Sequence, residues 1–360
     1  MIVRRKSNVV KIGRVNIGGS SPIAIQAMAK TATKNIQKVI TELNSLVASG
    51  AEIVRVAVKD EADALAIKEI KKKVEAPVVA DIHFNYRLAL KAIDCGVDKI
   101  RLNPGNIKDK EELKMVALAV KEAKIPVRIG VNSGSILQSG SSRQKVNNLA
   151  STMVSSALSY ARTLEGFGVD NLVISLKAED VLTTIEAYRL ISKKCLYPLH
   201  LGVTATGGFF SGLIKSSIGI GVLLEEGIGD TIRVSLTSSA SDEIASAKNI
   251  LQSLHLRNFQ PEIISCPTCG RCQVDLISIV NEFENKLASL KYKTRPTPLK
   301  IAVMGCEVNG PGEARLADFG VAFGKNKAIV FDKGVIKGQI SKDNVVKFLI
   351  KEAESRYAKS

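Results

Sequence analysis

The sequence predicts an α/β protein in which a (β/α)8 TIM barrel is followed by a small α+β domain. Between residues 23 and 254, short β-branched apolar segments alternate eight times with longer amphipathic segments, and this is the pattern of a parallel barrel. The alternation stops near Gln260-Pro261. We therefore expect two domains, a substrate-binding barrel over residues 1–260 and a second domain over residues 261–360.

Each predicted barrel strand is a short run rich in Val, Ile and Leu. The expected strands are residues 23–28, 53–57, 78–84, 99–103, 127–132, 172–177, 199–204 and 231–236. The expected helices are residues 34–49, 61–73, 87–95, 110–124, 147–167, 179–194, 212–226 and 241–254. Glycines stand at four expected helix ends, at Gly50, Gly96, Gly168 and Gly227. A doubly wound sheet is the alternative, but no G-x-G-x-x-G motif follows the first strand.

Two further segments flank the predicted barrel. Residues 9–17 are rich in β-forming residues, and Gly18-Gly19 is expected to close them as a hairpin or lid. In the second domain we expect helices at residues 274–290 and 342–358, with strands at residues 299–303, 320–323, 328–331 and 335–340. This mixture predicts a small α+β domain with its cysteines at one edge.

Cationic side chains stand near the carboxyl ends of five of the eight predicted strands. They are Arg55, Arg101, Arg128, Lys177 and Arg233. In a parallel barrel these ends share one rim, where the ligands of such barrels bind. A guanidinium fork matches phosphate oxygens, and lysine adds a point charge. Neighbouring acids would explain a single arginine, but Asp81 is the one obvious acid at these ends. The set therefore predicts a phosphate-binding pocket.

Polar residues accompany the cations at the same ends. Asp81 and His83 are two residues apart on a strand, so both side chains point to one face. If that face is the barrel interior, they place an acid and a proton donor beside the anion. The other interpretation is a buried hydrogen-bonded pair that supports the barrel. Asn103 and Asn132 would add neutral hydrogen-bond donors.

Four of the six cysteines lie in two segments of the second domain. Cys266, Cys269 and Cys272 form a C-x-x-C-x-x-C run, and Cys306 begins a glycine-rich loop that ends at Glu313. A zinc site, a redox dithiol and an iron–sulfur cluster all use C-x-x-C pairs. The spacing alone leaves zinc and an iron–sulfur cluster about equally supported.

Composition limits the kinds of partner. Lys and Arg number 51 against 35 Asp and Glu, a formal charge of +16, which suggests an anionic ligand. Aromatic residues are 4% of the chain and Trp is absent, so base-stacking surfaces are poorly supplied and we expect no nucleic-acid partner. No apolar run reaches the length of a membrane span, and no secretory signal is visible. We expect a cytoplasmic protein with reduced thiols and no membrane partner.

Five stretches together carry a close resemblance to one family. They are residues 79–84, 101–107, 127–132, 227–235 and 306–313. With these stretches the chain resembles the 4-hydroxy-3-methylbut-2-en-1-yl diphosphate synthases of the non-mevalonate isoprenoid pathway, in their compact two-domain bacterial form. The resemblance covers nearly the whole chain.

The resemblance implies a reductive ring opening and dehydration of 2-C-methyl-D-erythritol 2,4-cyclodiphosphate. Two electrons would come from reduced flavodoxin or ferredoxin through a [4Fe–4S] cluster in the second domain. The implied cluster ligands are Cys266, Cys269, Cys306 and Glu313. The implied substrate-binding residues are Arg55, Arg101, Asn103, Arg128, Asn132, Lys177, Arg233 and Ser235, and the implied catalytic residues are Asp81, His83 and Glu313. It also implies a homodimer in which the cluster domain of one subunit caps the barrel of the other.

The chain departs from the family pattern at two places. The family reads Thr-Glu-Ala-Gly after strand seven, and its glutamate has an acid role, whereas residues 204–207 here read Thr-Ala-Thr-Gly. The acid step would then use another group, such as Asp81, His83, Glu307 or water, or activity would be reduced. Cys272 is a spare thiol that would either compete with Glu313 or point into the following helix. A zinc-stapled phosphate-binding barrel without redox activity is the alternative function, and a basic nucleic-acid-binding protein is the third.

Overall fold

The computed structural model describes residues 2–138, 148–288, 290, 297–307 and 314–358. The chain divides into two compact units, Met1–Arg257 and Asn258–Ser360. No helix of the described residues is both long enough and apolar enough to cross a membrane.

The first unit is built around a parallel barrel whose strands are short and buried. In chain order the strands are β3 (Ala24–Met28), β4 (Ile53–Val58), β5 (Val78–Ile82), β6 (Lys99–Leu102), β7 (Val127–Asn132), β8 (Leu172–Lys177), β9 (His200–Leu201) and β10 (Thr231–Ile232). Within the described residues they pair in the order β8-β7-β6-β5-β4-β3-β10-β9. A parallel bridge between Ile174 and Leu199 joins the two ends. The predicted TIM barrel is confirmed.

Helices connect successive strands. They are α1 (Ile36–Ser49), α2 (Glu61–Lys73), α3 (Tyr86–Asp94), α4 (Lys110–Ala123), α5 (Ser133–Gln138), α6 (Leu149–Gly166), α7 (Val181–Ser192), α8 (Phe209–Glu225) and α9 (Ala240–Ser253). Asp60, Asp109 and Asp180 cap three of them, because each carboxylate accepts a hydrogen bond from the backbone of the first turn. Ser239 and Asp242 form a reciprocal capping box at α9. These caps stabilise the ends of helices that follow the carboxyl rim of the barrel.

Three predicted elements differ from the structure. β9 and β10 each have two residues, shorter than the predicted segments 199–204 and 231–236. β5 ends at Ile82, and Phe84 takes a left-handed φ of 58°, so the chain turns at the position where the predicted strand continued. The short helix α5 follows β7 directly and was not predicted.

The amino-terminal hairpin consists of β1 (Val10–Ile12) and β2 (Val15–Ile17). Its turn is at Gly13-Arg14, so the prediction that Gly18-Gly19 closes it was wrong. Buried residues of the hairpin form one apolar cluster with the first or second residues of four barrel strands: Val10, Ile12, Ile17, Ala24, Ile53, Val79 and Val173. The hairpin therefore seals the amino end of the barrel, opposite the rim that carries the cations.

The second unit is a small α+β domain, as predicted. Its described strands β11 (Glu262–Ser265), β12 (Lys300–Met304), β13 (Phe319–Phe323), β14 (Lys327–Asp332) and β15 (Val335–Ser341) form one sheet in that order. β11, β12 and β13 are parallel, and the other pairs are antiparallel. Helices α10 (Leu276–Ala288) and α11 (Val345–Ala358) pack into one core with the sheet through Phe283 and Leu349, both 0% exposed. β11 was missed by the sequence prediction because its four residues directly follow Pro261.

Candidate active site

The predicted cationic residues do converge inside the barrel. On alternate positions of neighbouring parallel strands, side chains point to the same face, and register pairs Arg101 with Arg128 and Asp81 with Arg101. The predicted rim residues on these strands are nearly enclosed, with an exposure of 9% for Arg55, 3% for Asp81, 7% for Arg101, 2% for Arg128 and 7% for Lys177, although Arg128 is the second residue of β7 and so lies nearer its amino end. The barrel interior therefore holds a dense cluster of positive charge.

Asp81 is the centre of this cluster. Its Oδ2 lies 2.5 Å from Arg55 Nη2 and 3.3 Å from His83 Nε2, and its Oδ1 lies 3.3 Å from Arg101 Nη1. Burial opposes ionisation of this carboxyl, but the charge of Arg55, the hydrogen bond with His83 and the charge of Arg101 hold the pKa of Asp81 well below its usual range. Asp81 is therefore a fixed anion that orients two arginines and the half-exposed His83.

Two glycines on the inner face make room for cationic side chains. A Cβ on Gly130 would lie 2.4 Å from Arg101 Nε, and a Cβ on Gly202 would lie 2.4 Å from Lys177 Nζ. Arg101 Nη2 instead donates to the carbonyl oxygen of Gly130 at 2.8 Å. The absence of a side chain at these positions allows Arg101 and Lys177 to lie flat across the neighbouring strands.

The remaining cations are held by groups from other strands and helices. Arg128 Nη1 donates across the barrel to Gln26 Oε1 at 2.7 Å. Arg233 Nη2 lies 3.9 Å from Glu243 Oε2, and the same carboxylate lies 3.4 Å from Lys30 Nζ. Burial, and then the charges of Arg233, Arg128 and Arg55, lower the pKa of Lys177 well below its usual value. An anionic ligand would favour the charged form of this amine.

Neutral groups complete the rim. Asn103 Oδ1 accepts from the backbone N–H of Gly105 at 3.0 Å, which leaves its amide nitrogen for a ligand. Asn132 ends β7 and Ser235 follows β10, and both are half-buried. Ala205 is exposed with a left-handed φ of 52°, and the next residue, Thr206, donates its hydroxyl proton to the Ser235 carbonyl oxygen. No carboxylate occupies the position of Ala205.

The cysteines of the second unit follow the carboxyl ends of two neighbouring parallel strands. Cys266 comes directly after β11, and Cys306 lies two residues after β12. The backbone N–H of Gly305 donates to Cys266 Sγ at 3.3 Å, and Cys306 is 8% exposed. Hydrogen bonds from the backbone and side chain of Arg271 lower the pKa of the exposed Cys269 thiol. Cysteines, whose sulfur is a ligand suited to a soft metal centre, thus follow neighbouring strands at one edge of the sheet.

Two parts of the predicted ligand set are not brought together. Glu313 lies outside the described residues. Among the described residues, no three His, Cys, Asp or Glu side chains are grouped as they would be around a bound metal ion. Cys272 Sγ donates to the Val274 carbonyl oxygen at 3.2 Å, toward the start of α10. A Cβ on Gly305 would lie 2.5 Å from Cys272 Sγ and 3.4 Å from Cys266 Sγ, so both sulfurs border the same glycine.

Sequence reasoning missed two residues that shape the pocket. Glu243 faces Arg233 and Lys30, and Lys99 is 1% exposed on the inner face of β6. Glu243 belongs to the first turn of α9, so no strand-end rule would find it. The signal for Lys99 was its place two residues before Arg101 on a short buried strand.

Family comparison covers both units. The sequence-family model described as the GcpE TIM-barrel domain matches residues 7–248. The family model described as the GcpE protein C-terminal domain matches residues 262–355. Solved structures at low identity share the barrel fold alone. Dihydropteroate synthase of Stenotrophomonas maltophilia matches with a TM-score of 0.50 and 14% identity, over 69% of this chain and 98% of that chain. The dihydropteroate synthase of Yersinia pestis matches with a TM-score of 0.50 and 9% identity, over 68% of this chain and 98% of that chain.

Curated relatives are similar over almost their full length. The protein of Ruminiclostridium cellulolyticum is 50% identical over 352 residues, covering 98% of each chain. That of Caldanaerobacter subterraneus is 48% identical over 356 residues, again covering 98% of each. The protein of Bacillus licheniformis is 46% identical and covers 99% of this chain and 96% of its own. All three are named 4-hydroxy-3-methylbut-2-en-1-yl diphosphate synthase (flavodoxin). Together with the matches to both units, these identities establish that the chain belongs to the 4-hydroxy-3-methylbut-2-en-1-yl diphosphate synthase family, as the resemblance predicted.

Proposed function

We propose that this chain catalyses the reductive ring opening and dehydration of 2-C-methyl-D-erythritol 2,4-cyclodiphosphate to 4-hydroxy-3-methylbut-2-enyl diphosphate. The observation that carries the proposal is the cluster of cations around Asp81 at the barrel rim, in a member of this synthase family. Such a cluster suits an anion of at least two charges, because the buried carboxylates Asp81 and Glu243 leave most of the positive charge uncompensated.

Substrate binding is assigned to the inward rim residues. Arginine forks and the Lys177 amine would hold the diphosphate oxygens, while Asn103, Asn132 and Ser235 contribute neutral hydrogen bonds. The residues assigned to substrate are Arg55, Arg101, Asn103, Arg128, Asn132, Lys177, Arg233 and Ser235. Their fixed positions on strands reduce the reorganisation needed when the charge of the ligand changes.

Proton delivery is assigned to His83, positioned by Asp81. The lowered pKa of Asp81 makes this carboxyl a poor proton donor near neutral pH. His83 Nε2 lies 3.3 Å from the Asp81 carboxylate, and its side chain is 36% exposed toward the rim. An imidazolium held in this way would give a proton to a leaving oxygen. Since Ala205 carries no acid, His83 would assume the role of the glutamate that the family has there.

The second unit is proposed to hold a [4Fe–4S] cluster through Cys266, Cys269, Cys306 and Glu313. The chemistry of the donors supports this assignment, because Cys266 accepts a backbone N–H as cluster thiolates do, and the lowered pKa of Cys269 favours its thiolate. A bound cluster would supply two electrons, one at a time, and a Lewis-acidic iron. The chain's own residues bind and orient the diphosphate and deliver the proton.

Three further features belong to this proposal. The electron donor is reduced flavodoxin or ferredoxin, and the name of each relative above specifies flavodoxin. The active form is a homodimer. The protein works in the cytoplasm, where its thiols remain reduced.

The test is anaerobic turnover of the cyclic diphosphate with a chemical reductant, followed by detection of the linear diphosphate. Cys306→Ser should abolish turnover and the brown colour of the purified protein, because one cluster ligand is removed. Cys195→Ser is the matched control and should retain both, since Cys195 lies in the first unit outside the proposed ligand set.

Two outcomes would reject the proposal. A colourless, zinc-containing protein without turnover would favour a zinc-stapled barrel instead. Full activity in Cys306→Ser would overturn the ligand assignment.

A further inference from the structure

Lys99 is a buried cation one layer below the rim. It lies on β6 two residues before Arg101, so both side chains point into the barrel. Its exposure is 1%. No hydrogen bond or ion pair with another described residue is formed by its amine. Its register partner on β5 is Val79, which belongs to the apolar cluster that seals the amino end.

An amine in this place is unfavourable in the ligand-free protein. Burial, then the charges of Arg128 and Arg55, lower the pKa of Lys99 well below its usual value. Burying an unpaired ammonium is unfavourable, and a methionine would occupy similar space without that cost. Packing therefore gives no reason for a lysine here, whereas an anionic ligand above it does.

Buried donors elsewhere in the barrel interior are unpaired. Gln26 Nε2, Arg55 Nε and Arg128 Nε are buried and have no hydrogen-bond partner among the described residues. Gln26 is 2% exposed, and its Oε1 already accepts from Arg128. The groups without a partner are therefore hydrogen-bond donors. A ligand group with several acceptor oxygens, such as a phosphate, would accept hydrogen bonds from them.

The charge of the interior exceeds what a cyclic diphosphate neutralises. Six cations face inward, namely Arg55, Lys99, Arg101, Arg128, Lys177 and Arg233. Asp81 and Glu243 pair with members of this set, so once both lysines are protonated, as we expect in the ligand complex, six cations against two carboxylates leave four. Each phosphorus of a cyclic diphosphate keeps one ionised oxygen. Opening the ring frees a terminal phosphate whose second ionisation has a pKa of about 6, which raises the charge to about −3.

We propose that Lys99 is a specificity-determining residue: the inner cation that makes this pocket bind a ring-opened diphosphate more tightly than a cyclic one. The inference rests on the proposed function, because it assigns Lys99 to the phosphate that ring opening releases. Lys99 stabilises the additional charge that develops during the reaction, and interactions that strengthen in this way contribute to rate.

Ligand binding should also change the protonation of Lys99. The charged and titratable groups whose effects reach Lys99 are Arg55, Arg128 and His200, and Arg101 follows two residues later on the same strand. The arginines disfavour a further positive charge beside them. An incoming phosphate reverses this balance, so the amine takes up a proton when the ligand binds.

Calorimetric titration of the full chain, without reductant, tests the proposal with two ligands. The probes are inorganic pyrophosphate, as the acyclic diphosphate, and the cyclic substrate. Lys99→Met should weaken pyrophosphate binding at least about tenfold and cyclic-substrate binding less than about threefold. Lys99→Arg should retain both affinities within about threefold, because its charge is kept. Lys11→Met, at an exposed position, is the control and should change neither.

Equal losses for both ligands, or no loss, would overturn the proposal. Titrations in two buffers of different ionisation enthalpy provide a readout that does not depend on the folding of Lys99→Met. The native protein should take up more protons per bound pyrophosphate than Lys99→Arg, by up to about one, because arginine stays protonated. Equal uptake would contradict the role of Lys99. Since no turnover is measured, a protein that binds selectively but fails to convert the cyclic diphosphate would reject the proposed reaction and not this inference.

Discussion

At the scale of single residues, the geometry of the cationic pocket depends on two glycines, Gly130 and Gly202. Arg101 can reach both Asp81 and the Gly130 carbonyl because Gly130 presents no Cβ toward it. Gly202 gives the same freedom to Lys177. Buried arginines are held in one orientation only when their donors are paired and their path is unobstructed.

Gly130→Ala is expected to displace Arg101 without unfolding the barrel. Its Cβ would overlap Arg101 Nε at 2.4 Å, and the flexible side chain can move away from both partners. We expect affinity for pyrophosphate to fall about tenfold, or about 1.4 kcal/mol, by calorimetry. Gly221→Ala is the matched control, because no atom lies within 4 Å of its Cβ. An unchanged affinity in Gly130→Ala would show that Arg101 need not lie across β7.

At this scale the sequence predicted pocket residues correctly where the alternation of side chains along a strand was enough to place them. Alternation along strands placed Arg55, Asp81 and Arg128 on the inner face, and the structure has them there. Glu243 was beyond that rule, because it approaches Arg233 from a helix after the strand. The ligand role of Glu313 stays a prediction, since it lies outside the described residues.

At the scale of elements, the hairpin β1–β2 closes the amino end of the barrel. The sequence indicated β structure at residues 9–17 but gave no means to decide which end it covers. Ile12 and Ile17 belong to one buried cluster with Ile53, Val79 and Val173, which decides that question. The short strands β9 and β10 were overestimated, because apolar residues continue beyond the last ladder hydrogen bonds into buried loop positions such as Val203 and Val234.

Ile12→Ala should destabilise the barrel while leaving its rim intact. Ile12 is 0% exposed, and removal of a buried isoleucine side chain typically costs about 2–5 kcal/mol. Urea denaturation followed by circular dichroism should show this loss, and pyrophosphate affinity of the folded variant should remain within about twofold. Lys11→Ala, on the exposed side of the same strand, should change neither quantity. A large loss of pyrophosphate affinity in Ile12→Ala would mean that the hairpin β1–β2 also shapes the binding pocket.

At the scale of the whole molecule, stability is opposed by the charge that binding requires. The chain carries a formal charge of +16, and part of that excess is buried in the barrel of the first unit. Burial, followed by neighbouring cations, lowers the pKa values of Lys99, Lys177 and His200. The unfolded chain therefore binds more protons than the folded chain near neutral pH, and folding gains stability as pH rises.

We expect the free energy of unfolding of the ligand-free protein to increase between pH 6.5 and 8. For a basic group whose folded pKa is lowered, protonation favours the unfolded state, and this penalty declines as pH approaches the unfolded pKa. Each lysine that stays neutral in the folded barrel contributes a slope of about 1.4 kcal/mol per pH unit. Urea denaturation across this range measures the slope, and in Lys99→Met the slope should fall by up to that amount. A flat or declining profile, or an unchanged slope in Lys99→Met, would mean that the interior amines remain charged without a ligand. Lys99→Met should also have a larger free energy of unfolding than the native chain at pH 7, because an apolar side chain replaces a buried amine at this position.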